Sequence, residues 1–352
     1  MDIIEILTPH YDAAWLPWAV QYFFLIGMAA TAAITAAILS FSAEGSDSRR
    51  LLPSAVTVLL VCGIAAPIAL LADLHQPGRF WHFYAHFTPW SWMSIGAVLI
   101  PIFITLVILF SLFWWMRKDG AMRLIGVLMI FSAASILLYT GSEVMVIRAR
   151  PLWNTIFLPI NFALTGWLAA LGAMLFVARW LPGGLATFPK AVWRRYALLV
   201  VLLLAICAAA WVVTGMSGKD PSYPAAVELF ASYPTWRLSL YGSLVMAACI
   251  VFSLVVSPQR FSQPFYSLVC SVIMMAAAWV FRWIVLMGIQ TVPKYGAGLY
   301  LHQMPLGSDG LLGMISIFGL CIALLAIITW FLDRYPSSAD LQSKSYAANA
   351  TL

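Results

Sequence analysis

The chain has 352 residues, of which 63% are hydrophobic and only 9% charged, with a mean hydropathy of +0.94. A soluble domain carries ~25% charged residues, so a water-soluble globular protein is excluded, and no polar stretch is long enough for an appended catalytic module. The net charge of +6 and pI near 9.1 do not point to nucleic acid, because the basic residues flank apolar runs, the pattern of a membrane protein.

A membrane span needs ~20 mostly apolar residues. Met1–His10 carries Asp2 and Glu5 and no Lys or Arg, unlike the basic start of a signal peptide, so the first run is expected to be a retained helix. Gly, Pro and charge clusters then divide the chain into nine spans, with cores near Ala14–Phe41, Ser54–Leu74, Trp90–Trp115, Met122–Gly141, Trp153–Ala178, Tyr196–Gly215, Trp236–Ser257, Phe265–Gly288 and Leu311–Leu332. Pro67, Pro101 and Pro159 fall inside spans, which membrane helices tolerate. The fold class is therefore an all-α integral membrane protein. Residues 1–336 form one polytopic membrane domain, and the polar tail 337–352 is expected to be disordered. Twelve of the 19 Lys and Arg residues fall on one side, in the loops after spans one, three, five and seven and in the tail. That bias places the N-terminus outside and the C-terminus in the cytoplasm.

The outer side is chemically richer. It holds all five histidines, His10, His75, His82, His86 and His302, and the charges nearest the apolar core: Asp73, Glu143 and Arg282. Ionisable groups at depth are costly, which makes them functional candidates by default. Tyr139 and Glu143 are four residues apart and share a helix face. Gln21 and Tyr22 occupy the outer half of span one. With Asp73, these side chains supply hydroxyl, amide and carboxylate groups beside aromatics. A quinone headgroup needs donors to its oxygens, a flat apolar wall and a carboxylate to take a proton. Each residue also has a structural reading: an interfacial tyrosine, a Glu143 ion pair with Arg148 or Arg150, a loop cap by Asp73, a carboxylate partner for Arg282.

The five cysteines are scattered through apolar runs without metal-ligand spacing and read as buried small hydrophobes. No span core contains a histidine for a membrane haem, and no Rossmann unit is present for flavin or nicotinamide. No haem, iron–sulfur cluster or metal is expected in this chain.

Five collinear segments carry a family resemblance: Trp15–Ala30 (WLPWAVQYFFLIGMAA), Ala72–Ala97 (ADLHQPGRFWHFYAHFTPWSWMSIGA), Leu137–Trp153 (LLYTGSEVMVIRARPLW), Arg282–Lys294 (RWIVLMGIQTVPK) and Gly307–Gly313 (GSDGLLG). They resemble the polysulfide-reductase-type (NrfD-like) quinol-interacting membrane subunits, and within them the tetrathionate-reductase type. The resemblance implies an NrfD-like four-helix quinone-binding bundle and an inner-membrane subunit of a respiratory complex. It implies an iron–sulfur electron-transfer subunit and a molybdopterin catalytic subunit on the outer face, reducing tetrathionate or a related sulfur compound. Menaquinol or ubiquinol is the implied substrate. Tyr139 matches the family's quinone-binding tyrosine, and Tyr22 stands where some members carry a histidine, so Tyr22 or Gln21 is the candidate donor on span one. Asp73 and Glu143 are the candidate proton acceptors. His75 and Arg282 complete the expected quinone site.

Two other readings compete. A passive anchor would tolerate loss of Tyr139 and Glu143. A transporter would show Gly/Pro-broken helices in matching halves, and none are evident.

Overall fold

A computed structural model describes residues 15–74, 76–256, 258–292 and 304–335. The expectations for His10, His75, Lys294, His302 and the 337–352 tail lie outside these residues. Among the described residues, nine helices are long and apolar enough to cross a membrane. They are α1 (Pro17–Ser40), α2 (Leu52–Asp73), α3 (Trp92–Trp115), α4 (Asp119–Met145), α5 (Phe157–Val177), α6 (Lys190–Met216), α7 (Pro234–Val255), α8 (Pro264–Trp283) and α9 (Leu311–Arg334). A π turn, Ile284–Gly288, continues α8.

The chain is a multi-pass membrane protein built around α1. The most apolar window of α1 is 89% buried, whereas that of α7 is 11% buried, which puts α1 at the centre and α7 against lipid. The sequence of α1 accounts for this. Ala29, Ala30, Ala32, Ala33, Ala36 and Ala37 are all fully buried, and small residues let membrane helices approach closely. The first four helices close a ring, each packing on the next and α4 returning to α1. A second group, α5 with α8 and then α6 and α7, packs on the other side of α1, and α9 lies against α1 and α2.

The two groups approach closely where Gly27 of α1 meets Gly166 of α5. A Cβ on Gly166 would lie 2.9 Å from the Gly27 carbonyl oxygen. Arg282 of α8 fills the same crossing and is fully buried. Its Nε donates to Phe23 O (2.9 Å), Nη1 to Thr165 Oγ1 (3.0 Å) and Ala278 O (3.1 Å), and Nη2 to Phe162 O (2.9 Å). The guanidinium also lies 5.3 Å from the Phe162 ring centroid. One side chain thus ties α1, α5 and α8 together through neutral acceptors, and no carboxylate is among these partners. A lysine has no planar fork to reach all three helices. Arg282→Lys is expected to lose at least one charge-assisted hydrogen bond, about 1.5–3 kcal/mol, and to melt several degrees lower in detergent. A melting curve unchanged from wild type would show that the arginine is not a structural tie.

Three local features depart from the sequence expectation. Helices α4 and α6 extend past their apolar cores to include Asp119, Glu143 and Lys190, because hydropathy locates the hydrocarbon zone while the helix continues beyond it. Pro159 lies in the first turn of α5, not inside it, where a missing N–H costs nothing. The gap between α6 and α7 contains a helix, Ser222–Ser232, that buries Ala226 and Leu229. Asp220 caps its start, accepting from the Ser222 N–H (2.9 Å) and hydroxyl (2.6 Å) and from Thr155 Oγ1 (2.5 Å).

Candidate functional site

The α1–α4 ring brings four of the expected residues together at one end. That end holds the start of α1, the end of α2, the start of α3 and the end of α4, and is the proposed outer end. Tyr22 (1% exposed) and Tyr139 (3% exposed) are buried inside it. Tyr139 stands within side-chain hydrogen-bonding reach of Glu143, one turn along α4, and faces Tyr22 across the bundle. Asp73 is close enough to Glu143 for their charges to interact. Both carboxylates are half-buried.

The phenol of Tyr139 is held by the backbone of α3. A Cβ on Gly96 would fall 2.2 Å from Tyr139 Cζ and 2.5 Å from its hydroxyl oxygen, so only glycine leaves room for the ring. Behind Tyr139, Gly141 packs on Pro159 of α5, where a Cβ would sit 2.4 Å from the proline Cβ. Both sides of the tyrosine's helix turn are therefore fixed by glycine contacts.

The hydroxyl of Tyr22 faces Tyr139 but meets no partner of acceptable hydrogen-bond geometry. Among the described residues, only three buried side-chain polar atoms lack a partner: Gln21 Nε2, Tyr22 OH and Ser132 Oγ. Two of the three are thus adjacent site candidates on α1. Burying a polar group unsatisfied costs ~1–3 kcal/mol, and such groups in a native structure call for an explanation, an absent ligand among them.

Several polar groups at this end also make structural contacts. Asp73 Oδ1 accepts from the Leu16 N–H at 3.2 Å. It thereby anchors the entry of α1. Gln290 brackets Trp15, accepting from its N–H (3.0 Å) and donating to its carbonyl (3.2 Å). Arg150 donates to Ile289 O and Val292 O, both at 2.8 Å, and Trp153 Nε1 to Val285 O at 2.7 Å. These bonds tie the π turn after α8 to the α4–α5 connection.

The expected site divides at α1. Tyr22 faces α4, but Gln21, the preceding residue, faces α8, where its Oε1 accepts from Trp279 Nε1 at 3.4 Å. Arg282 is on that same α8 side. His75 lies outside the described residues. Sequence reasoning missed Gly96 and Gln290, although both fall inside segments that carried the resemblance. No group of three or more His, Cys, Asp or Glu side chains that could hold a metal occurs among the described residues.

Outside this end, the α2–α3 connection forms a depression of about 550 Å³ lined by Gln76, Arg79, His82, His86, Ser91 and Ser94, among others. Phe80, Trp81, Tyr84 and Phe87 beside it are each about half exposed.

An all-helical architecture, with nine spans among the described residues and a polar cluster at one end of its first four helices, defines a multi-pass membrane protein with a buried polar site. The sequence matches the polysulphide reductase, NrfD family over residues 7–294, and the chain belongs to that family. It is similar to a tetrathionate reductase subunit of Salmonella typhimurium (strain LT2), with 34% identity over 331 residues, 93% of this chain and 94% of that protein.

Proposed function

We propose that this chain oxidises quinol at the outer end of the α1–α4 bundle and passes the electrons to an iron–sulfur partner of a sulfur-compound reductase. The observation that carries the reading is the buried Tyr22–Tyr139 pair beside Glu143 and Asp73, with the Tyr22 hydroxyl unpartnered. A quinol oxygen beside the two phenols gives that hydroxyl a partner. Tyr139 then holds one quinol oxygen. Oxidation releases two electrons and two protons per quinol. Glu143 takes a proton as it leaves, and Asp73 assists from α2. The electrons leave singly to the partner's nearest cluster. The quinol is menaquinol or ubiquinol. Arg282, its donors largely committed to carbonyls, contributes a fixed positive charge rather than a direct contact.

The relative's name, a subunit of tetrathionate reductase, supports a complex of the same type. Its molybdopterin subunit reduces tetrathionate or a related sulfur compound outside the bacterial inner membrane. The exposed aromatics and the His82/His86 depression of the α2–α3 connection suit the docking face for the iron–sulfur subunit. Adding quinol to the purified complex should reduce that subunit's clusters, seen by electron paramagnetic resonance, and cross-links from the α2–α3 connection should reach it. Clusters that stay oxidised, or cross-links only from the opposite loops at Arg117–Arg123 and Arg179–Arg195, would refute the reading.

The basic-residue bias sets the topology of this proposal, N-terminus outside and C-terminus inside. A reporter active only in the cytoplasm should work when fused after Leu352. Activity there of a reporter that requires the outside would invert the scheme and move the cluster to the wrong face.

A further inference from the structure

On the far side of α1 from the tyrosines lies a cavity of about 380 Å³ between α1, α2, α5, α8 and α9. Leu25, Met28, Cys62, Ala173, Ala276 and Trp279 line it, with Phe318, Cys321, Ile322 and Leu325 of α9 closing the lipid side. It shares Phe176, Ile322 and Leu325 with a second hollow of about 680 Å³, which runs on to Trp180, Trp330 and Asp333. The two make one groove along α9. From Phe318 to Asp333 it follows about 22 Å of helix.

The cavity beside α1 is lined by apolar surface, and a polar side chain lies buried just beyond its outer end. Gln21 is one turn outward of Phe24 and Leu25, both lining residues, and so stands at the groove's outer end. It is fully buried, its Nε2 is unpartnered, and its oxygen holds Trp279. Trp279 in turn stacks on Trp283 with centroids 5.3 Å apart and planes 24° apart. A buried amide donor beside a flat aromatic wall suits a ring with carbonyl oxygens. At the inner mouth the described lining includes Asp333 and no lysine or arginine. Arg179 stands beside that mouth, its guanidinium 5.6 Å from the Phe176 ring centroid, so the choice of a quinone over a phospholipid rests on the buried amide and the aromatic wall.

We infer that this groove binds a second isoprenoid quinone, with its ring at Gln21 and Trp279 and its chain along α9, held apart from the Tyr22–Tyr139 site by α1. The inference rests on the quinone reading of the family but not on which face of α1 does the oxidation.

One of the groove's own cysteines supplies the test. Full-length chain in nanodiscs of synthetic phosphatidylcholine is treated with a membrane-permeant maleimide, and alkylation of Cys321 is followed by mass spectrometry. Menaquinone should slow Cys321 alkylation several-fold, while menadione, which has the ring but no chain, should protect far less. Cys249, exposed on α7, serves as the unprotected control. A photoreactive menaquinone should label α9, and Ala276→Phe and Ala173→Leu, which fill the groove from α8 and α5, should each cut that labelling several-fold while labelling near Tyr139 persists. Equal protection by menadione, no label on α9, or labelling unaffected by both variants would overturn the proposal. So would a phospholipid that native mass spectrometry finds retained against excess menaquinone. Failure of the Tyr139 site registers elsewhere, as full quinol-driven turnover in Tyr139→Phe, and leaves the Cys321 readout unchanged.

Discussion

Gly96→Ala is expected to abolish most quinol-driven turnover without touching any group that reacts. The added methyl would lie 2.2 Å from Cζ of Tyr139, well inside van der Waals contact, so the phenol must swing away from α3. Little room exists for that movement, because Tyr139 is almost fully buried and its helix is pinned two residues on by Gly141 against Pro159. A displacement of about 1 Å at a positioning group can cost ~10²-fold in rate. Overpacking also costs stability, typically 1–3 kcal/mol, so the measurement must separate the two effects. Viologen-driven reduction bypasses this chain and reports the assembled partners. Gly96→Ala should keep the viologen rate and lose about 10²-fold of the quinol rate. Gly242→Ala on α7, where a Cβ meets nothing within 4 Å, should change neither. Equal quinol rates in Gly96→Ala and wild type would mean that Tyr139 is not held where it matters.

The architecture was legible because lipid imposes it. Backbone groups in hydrocarbon must be satisfied internally, so long apolar runs have one structural outcome, and all nine spans appear where hydropathy placed them. The Tyr139–Glu143 pair was legible for a similar reason, since four residues along a helix fix a shared face. The side of α1 on which a residue lies was not legible. That helix is apolar all round and buried nearly all round, so no stripe separates the Tyr22 face from the Gln21 face, and the two looked like one site. Arg282 was marked by its charge, but its partners at Phe23, Phe162 and Thr165 are more than a hundred residues away, and local sequence carries no trace of them. Gly96 is silent for the opposite reason: it acts through the absence of a side chain. The Ser222–Ser232 helix was hidden by its short length and its prolines.

The comparison that bears most directly on the central claim is Tyr139→Phe against Glu143→Gln in the assembled complex, with quinol-driven and viologen-driven rates measured on the same preparation. Under the proposed function, removing the phenol deletes one hydrogen bond to the quinol. Such a bond is worth ~0.5–1.5 kcal/mol between neutral groups and ~1.5–3 when charge develops, so a loss of about tenfold or more is expected. Glu143→Gln keeps shape and polarity but cannot take a proton. General-base catalysis contributes ~10²–10⁴-fold, and a nearby Asp73 softens its loss, so a deficit of ~10–10²-fold is expected, narrowing at acid pH, where Glu143 of the wild type is itself protonated and cannot act as a base. Both variants should reduce substrate with viologen at the wild-type rate. If both instead keep full quinol-driven rates in an assembled complex, the buried tyrosine–carboxylate cluster is not the site of quinol oxidation, and the chain is an anchor for chemistry conducted elsewhere.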